Sequence, residues 1–112
     1  MVISKSTATH YQWGNNCDAW TLLQSGKAIF KEEEMPPNTE ESLHIHKNTE
    51  QLFYILDGEA EFIVGQELFL LKAGNAIAIK SGSPHKIANR SSKKLRFLVF
   101  SFPGNVSDRI EL

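Results

Sequence analysis

The 112-residue chain is 41% hydrophobic and 22% charged, with 12 Lys+Arg against 13 Asp+Glu. That balance leaves no electrostatic footprint for nucleic acid or an anionic membrane, and the length suits one globular domain. No apolar run approaches the roughly 18 residues of a membrane span, and a single cysteine, Cys17, excludes an intrachain disulfide. The opening residues Met1 to Thr9 lack the apolar core of a signal peptide, so a soluble cytoplasmic protein is expected.

In chain order, the best helical candidate, Cys17 to Leu23, is short and rich in aromatic and polar residues, and reads as no more than a turn. Strand signals dominate. Short apolar runs occur at Ala28-Ile29-Phe30, Leu52 to Leu56, Phe62 to Val64, Leu68 to Leu71, Ala76 to Ile79 and Leu95 to Phe100. Turn-forming clusters separate them: Pro36-Pro37, Asp57-Gly58, Gly65-Gln66, Ala73-Gly74-Asn75, Ser81 to Pro84 and Asn89 to Ser92. Asp57-Gly58 and Val64-Gly65-Gln66 have the chemistry of tight hairpins. The pattern predicts an all-β antiparallel sandwich or barrel with little helix. The charge runs Glu32-Glu33-Glu34 and Lys93-Lys94 read as solvated surface.

The informative stretch is Leu43-His44-Ile45-His46. Side chains alternate along a strand, so His44 and His46 share a face about 6.5–7 Å apart and can chelate one cation if neighbouring strands add ligands. Gln51 follows at the start of the next strand, which ends at Gly58. Gly74, Gly82, His85 and Asn89 then recur at set intervals.

In these positions the chain resembles the cupin superfamily, whose motifs read G-x5-H-x-H-x3/4-E-x6-G and G-x5-P-x-G-x2-H-x3-N. His44, His46, Gln51 and Gly58 fall on the first motif, with Asn38 at the leading glycine and glutamine at the carboxylate position. Gly74, Gly82, His85 and Asn89 fall on the second, with Lys80 in place of proline. Further similarity to small, largely uncharacterised cupins runs through Trp13-Gly14, Cys17-Asp18, Trp20, Glu34 to Pro37 and the tail Ser101-Phe102-Pro103 to Asp108-Arg109. The resemblance implies a small jelly-roll barrel, a double-stranded β-helix, over about residues 26–102 of a single domain, 1–112. It also implies a homodimer and one divalent metal ion (Fe, Mn, Ni, Zn or Co) with His44, His46, Gln51 and His85 in the ligand positions.

The fourth ligand position is open to Glu50 or Gln51, since both spacings from His46 are permitted. The six residues between Gln51 and Gly58 favour Gln51, and strand parity prevents both from facing inward. An amide there leaves the ion's charge uncompensated, which suits carboxylates, enolates or hydroxy acids and Lewis-acid isomerase or lyase chemistry over dioxygenase chemistry. Phe53 and Ile55 share the parity of Gln51 and are expected to line the pocket floor, whereas Tyr54 should point away. His10 reads as a surface residue, Cys17 as a buried small residue, and Tyr11, Trp13 and Trp20 as packing. Asn89 suits turn chemistry, and Asp108-Arg109 a salt bridge or subunit contact. Two functional readings stand: a metalloenzyme acting on a small anionic or sugar-derived substrate, with no general base evident in the sequence, or a non-catalytic module that binds or senses a small ligand.

Overall fold

The computed structural model describes residues 1–104 and 107–112. Twelve strands are arranged in two sheets: β1 (Thr9–Trp13), β2 (Cys17–Gln24), β3 (Ile29–Met35), β4 (Thr39–Glu40), β5 (His44–His46), β6 (Glu50–Asp57), β7 (Glu59–Val64), β8 (Glu67–Lys72), β9 (Ala76–Ile79), β10 (His85–Asn89), β11 (Leu95–Phe102) and β12 (Arg109–Glu111). One sheet runs β1-β2-β3-β11-β6-β9; the other runs β12-β5-β10-β7-β8, with β4 also on β10. All pairings are antiparallel. The all-β architecture expected from the sequence is the one observed, and no helix among the described residues is long and apolar enough to cross a membrane.

Alternation builds the core. Along β11, Leu95, Phe97, Val99 and Ser101 are buried while the intervening residues are not. Leu95, Phe97 and Val99 cluster with Phe53 and Ile55 of β6, Met35 of β3, and Phe62 and Ile87 from the facing sheet. Phe62 and Phe97 are almost fully buried, each contributing about 2–3 kcal/mol of apolar transfer.

Two sequence expectations are corrected. The segment Cys17 to Leu23 is not a turn but most of strand β2, held between β1 and β3. Its inward residues Cys17 and Ala19 are too small to produce an apolar periodicity, yet both are fully buried. Asp57-Gly58 is not a hairpin, because β6 and β7 lie in different sheets. The glycine makes a corner between sheets: its φ is +89°, and a Cβ would meet the Lys94 carbonyl oxygen at 2.8 Å. Gly65-Gln66 does close a two-residue hairpin, pairing Val64 with Glu67.

The register places the site. One inward row crosses four strand junctions as Tyr11, Ala19, Glu33, Phe97 and Ile55; the next contains Thr21, Lys31, Val99 and Phe53. Gln51 pairs with Ser101, and on the facing sheet His85 lies directly opposite His44. Apolar rows thus grade into polar ones along the same strands.

Candidate metal centre and cavity

His44 and His46 project together from β5, and His85 enters from β10 alongside them. The His44 and His85 ring centroids are 4.3 Å apart, and those of His44 and His46 5.1 Å. One ring nitrogen from each of the three lies within 4.8 Å of the others, so the cluster can hold a metal ion. All three are buried, at 2%, 5% and 1% exposure for His44, His46 and His85.

Each ring is fixed through Nδ1. His44 Nδ1 donates to the Ser42 carbonyl at 2.9 Å, His85 Nδ1 to the Ser83 carbonyl at 2.8 Å, and His46 Nδ1 faces Asp108 Oδ1 at 3.1 Å. A carbonyl oxygen only accepts, so it demands Nδ1–H and leaves the lone pair of a neutral ring on Nε2, the donor a metal requires. Burial favours the neutral form of two of the rings: it pulls His44 down to about 4 and lowers His85 as well.

Gln51 is turned into this cluster, whereas Glu50 is exposed. Its Nε2 donates to Ser101 Oγ at 3.0 Å, and its Oε1 lies 3.2 Å from His85 Nε2. With His85 protonated on Nδ1, two lone pairs face each other there, a contact that a cation beside both would satisfy. The donor set of imidazole nitrogens and an amide oxygen suits a divalent transition metal.

A cavity of about 580 Å³ adjoins the cluster. His44, His46, Gln51, Phe53 and Ser101 contribute to its wall, as do Tyr11, Trp13, Lys31, Glu33, Glu41 and Arg109. Phe53 therefore lines it, while Ile55 faces the same way but lies fully buried in the core and outside that wall. Tyr54 is exposed, 43%, as parity requires.

Sequence reasoning missed the acid groups. The run Glu32-Glu33-Glu34 is not solvated surface: Glu32 and Glu34 are covered on the outer face beneath Lys5, and Glu33 points the other way, because side chains alternate along a strand. Burial pushes its carboxyl up to about 7, against the opposing pull of Lys31, the nearby Trp13 indole N–H and Arg109. Burial likewise pushes Glu41 up to about 8, with Arg109 opposing and Glu33 reinforcing. Reading 29–35 as one alternating strand with Ile29 and Met35 inward would have placed Lys31 and Glu33 inside; the polar side chains hid that period. Arg109, expected in a salt bridge or subunit contact, does make salt bridges, but its place on the cavity wall had no local signal, since β12 is three residues long and is fixed by pairing with β5. Its guanidinium lies 3.7 Å from Glu41 and 3.0 Å from Glu111.

The remaining candidates stand apart. His10 is on the surface, 2.8 Å from Asp18 and against the Trp20 ring. Tyr11 and Trp13 reach the cavity, but Trp20 lies outside beneath the Lys5 ammonium. Cys17 is buried in the core, with its thiol pushed up by burial. Asn89 is fully buried: its oxygen accepts from Ser91, and its amide donates to the Met35, Pro36 and Lys93 carbonyls.

Comparison with known proteins decides the family. Residues 31–101 match the cupin domain family, well over half of the chain. The chain is a cupin. It is 34% identical over 82 residues to the uncharacterised protein MJ1618 of Methanocaldococcus jannaschii, covering 73% of this cupin and 66% of that protein. It is 33% identical over 70 residues to the oxalate-binding protein of Thermotoga maritima, covering 62% of this chain and 58% of the relative. Similarity to quercetin 2,3-dioxygenase of Bacillus subtilis, 34% over 65 residues, covers 58% of this chain but 19% of the enzyme. The cupin thus spans less than two thirds of these relatives' lengths. Among solved structures, a predicted oxalate decarboxylase of Thermotoga maritima superposes with a TM-score of 0.84 at 28% identity, over 91% of this chain and 98% of that one. The polyketide cyclase RemF of Streptomyces resistomycificus, at 18% identity, shares the fold with a TM-score of 0.85, over 100% and 84% of the two chains.

Proposed function

We propose that this cupin is a metalloenzyme that holds one divalent cation through His44, His46, His85 and Gln51 and acts on a small carboxylate-bearing molecule by proton transfer. The observation that carries the reading is an inward carboxyl, Glu33, on the same cavity wall as His44 and His46. A group pushed up to about 7 exchanges protons readily near neutrality, as general acid–base catalysis needs. Asp or Glu in water would be fully ionised there and a weaker base.

The bound cation would supply a Lewis acid that polarises a substrate carbonyl or carboxylate. Lys31 and Arg109 supply the positive charge on the wall for a substrate carboxylate. Glu33 then takes a proton from the carbon next to the polarised group and returns it to the same or a neighbouring carbon. Phe53, Phe97, Val99 and Ile87 form the apolar part of the wall, which limits competing hydration of the charged groups. Burial holds Glu33 and Glu41 largely protonated near neutrality, so they replace little of the negative charge that a glutamine ligand withholds.

Deuterium exchange tests this reading. The cobalt-loaded chain, incubated in D2O with small keto and hydroxy acids, should wash out the proton beside the carbonyl of at least one, and Glu33→Gln should stop the exchange. Gln51→Ala should lower metal content; unchanged content would remove Gln51 from the ligand set. A second reading, a non-catalytic module for a small acid, is favoured by the 33% identity to the oxalate-binding protein. Calorimetric binding of oxalate without exchange in any acid would select it. A cytoplasmic homodimer fits either reading, with the exposed apolar residues Leu68, Phe69 and Leu70 of β8 as its contact.

A further inference from the structure

We propose that Asp108 is a positioning residue for the cation site, holding His46 in its Nδ1–H tautomer and so presenting the Nε2 lone pair to the ion; this rests on the metal-binding reading above. Its two carboxylate oxygens have separate partners. Oδ2 accepts from the Asn48 amide at 2.6 Å, the Thr49 amide at 2.9 Å and the Thr49 hydroxyl at 3.0 Å. Oδ1 is left for His46 Nδ1, at 3.1 Å. Two main-chain amides and a hydroxyl thus converge on Oδ2, the surroundings of a carboxylate. An ionised carboxylate can only accept, so the proton of a neutral His46 must sit on Nδ1.

The other two histidines achieve the same tautomer through main-chain carbonyls, of Ser42 and Ser83, which no side-chain change removes. His46 differs in depending on a side chain 62 residues away. Asp108 immediately precedes β12, whose residues Arg109, Ile110 and Glu111 pair with His46, Ile45 and His44. The Lys47 amide also reaches the Asp108 carbonyl at 3.3 Å, and the Leu112 amide the Leu43 carbonyl at 3.0 Å. Seating the C-terminal strand and orienting a ligand are therefore one event. The same strand brings Arg109 and Glu111 to the cavity wall.

The geometry yields a variant that separates orientation from structure. In Asp108→Asn, three donors converge at the Oδ2 position, so the amide oxygen must stay there. The NH2 group then occupies the place of Oδ1 and donates to His46 Nδ1, which moves the ring proton to Nε2 and blocks metal ligation. The hydrogen bonds to residues 48 and 49 survive.

The test is ring 15N spectroscopy of the full metal-free chain at pH 8, followed by cobalt(II) calorimetry, on wild type and Asp108→Asn. The expected results are Nδ1–H His46 in the wild type, Nε2–H in the variant, retained amide protection at residues 48 and 49, and cobalt affinity lowered about 10–100-fold. An Nε2–H wild type, or a variant with unchanged tautomer, overturns the assignment. A switched tautomer with unchanged cobalt affinity reduces Asp108 to a structural staple and also overturns it. If Asp108→Asn loses amide protection, Asp108→Glu must restore cobalt affinity together with the Nδ1–H tautomer; failure to do so overturns the proposal. A wild type with the expected tautomer but no cobalt binding overturns the metal-binding reading itself, and with it any role of Asp108 toward a cation.

Discussion

Glu32 and Glu34 lie on one face of β3 and Glu33 on the other, and the two faces treat the same side chain in opposite ways. Outside, Lys5 bridges Glu32 and Glu34, Arg96 adds to Glu32, and Lys94 adds to Glu34 at 3.1 Å. Glu34 is itself buried, but those cations outweigh the effect of burial and hold it below the ordinary carboxylate range. Inside, Glu33 lies beside Trp13 on the wall of the cavity that His44 and His46 also line, and burial carries it up to about 7. The outer face contributes to stability, whereas on the inner face burial of a carboxyl costs stability wherever it is ionised. A one-residue step along a strand therefore separates an ion-paired glutamate from one that lines the cavity.

The largest expected effect comes from removing an inner-face ligand. At zinc concentrations 100-fold above its dissociation constant, the wild type should gain about 2.7 kcal/mol of unfolding free energy. His85→Ala should gain almost none, as read by thermal unfolding with and without chelator. An equal gain in both chains would show that zinc binds elsewhere.

Next comes Glu33→Gln, which should stabilise the metal-free chain by about 1–3 kcal/mol at pH 8 and leave it unchanged at pH 4.5. Protonated Glu33 favours folding below about pH 4.5, and that contribution is lost as pH climbs to about 7, because the folded pKa lies above the unfolded value. His44 acts with the opposite sign. Held at about 4, its neutral form supports folding above pH 6.5, and that support is lost as pH falls toward 4. The wild-type profile between pH 4.5 and 6.5 should accordingly be flatter than that of the Glu33 variant. Urea titrations across this range in the presence of chelator check both points.

The smallest effect belongs to the outer face. Glu34→Gln should cost about 0.5–1 kcal/mol at pH 7, since Lys5 and Lys94 are 35% and 59% exposed and their pairs are screened by water. That difference should fade as pH falls through the lowered carboxyl pKa, and shrink in high salt. A loss larger than that of an inner-face apolar truncation would erase the contrast between the faces.

Much of this was legible in the sequence where apolar runs carried the period. β6, β7, β8, β9 and β11 are long enough and apolar enough to declare themselves, and parity alone put Gln51, Phe53 and Ile55 on one face and Tyr54 on the other. The strands that bear function were harder to see. β10 reads His85, Ile87 and Asn89 inward, and β3 reads Lys31 and Glu33 inward, so polar side chains at buried positions removed the signal that marks a strand. β12 has no local signal, being three residues whose conformation comes from pairing with β5. The Asp57-Gly58 corner shows the reverse problem: the dipeptide fits a hairpin, but the need to pass from one sheet to the other decides its geometry.

Cobalt(II) titration of the tag-free, chelator-stripped chain asks whether the inner face of the barrel is a cation site. The expected result is saturation at one cobalt per chain, with visible absorption bands from nitrogen and oxygen ligation, and loss of both in the His44→Ala/His46→Ala double variant. No saturable binding, or an undiminished site in the double variant, would contradict it.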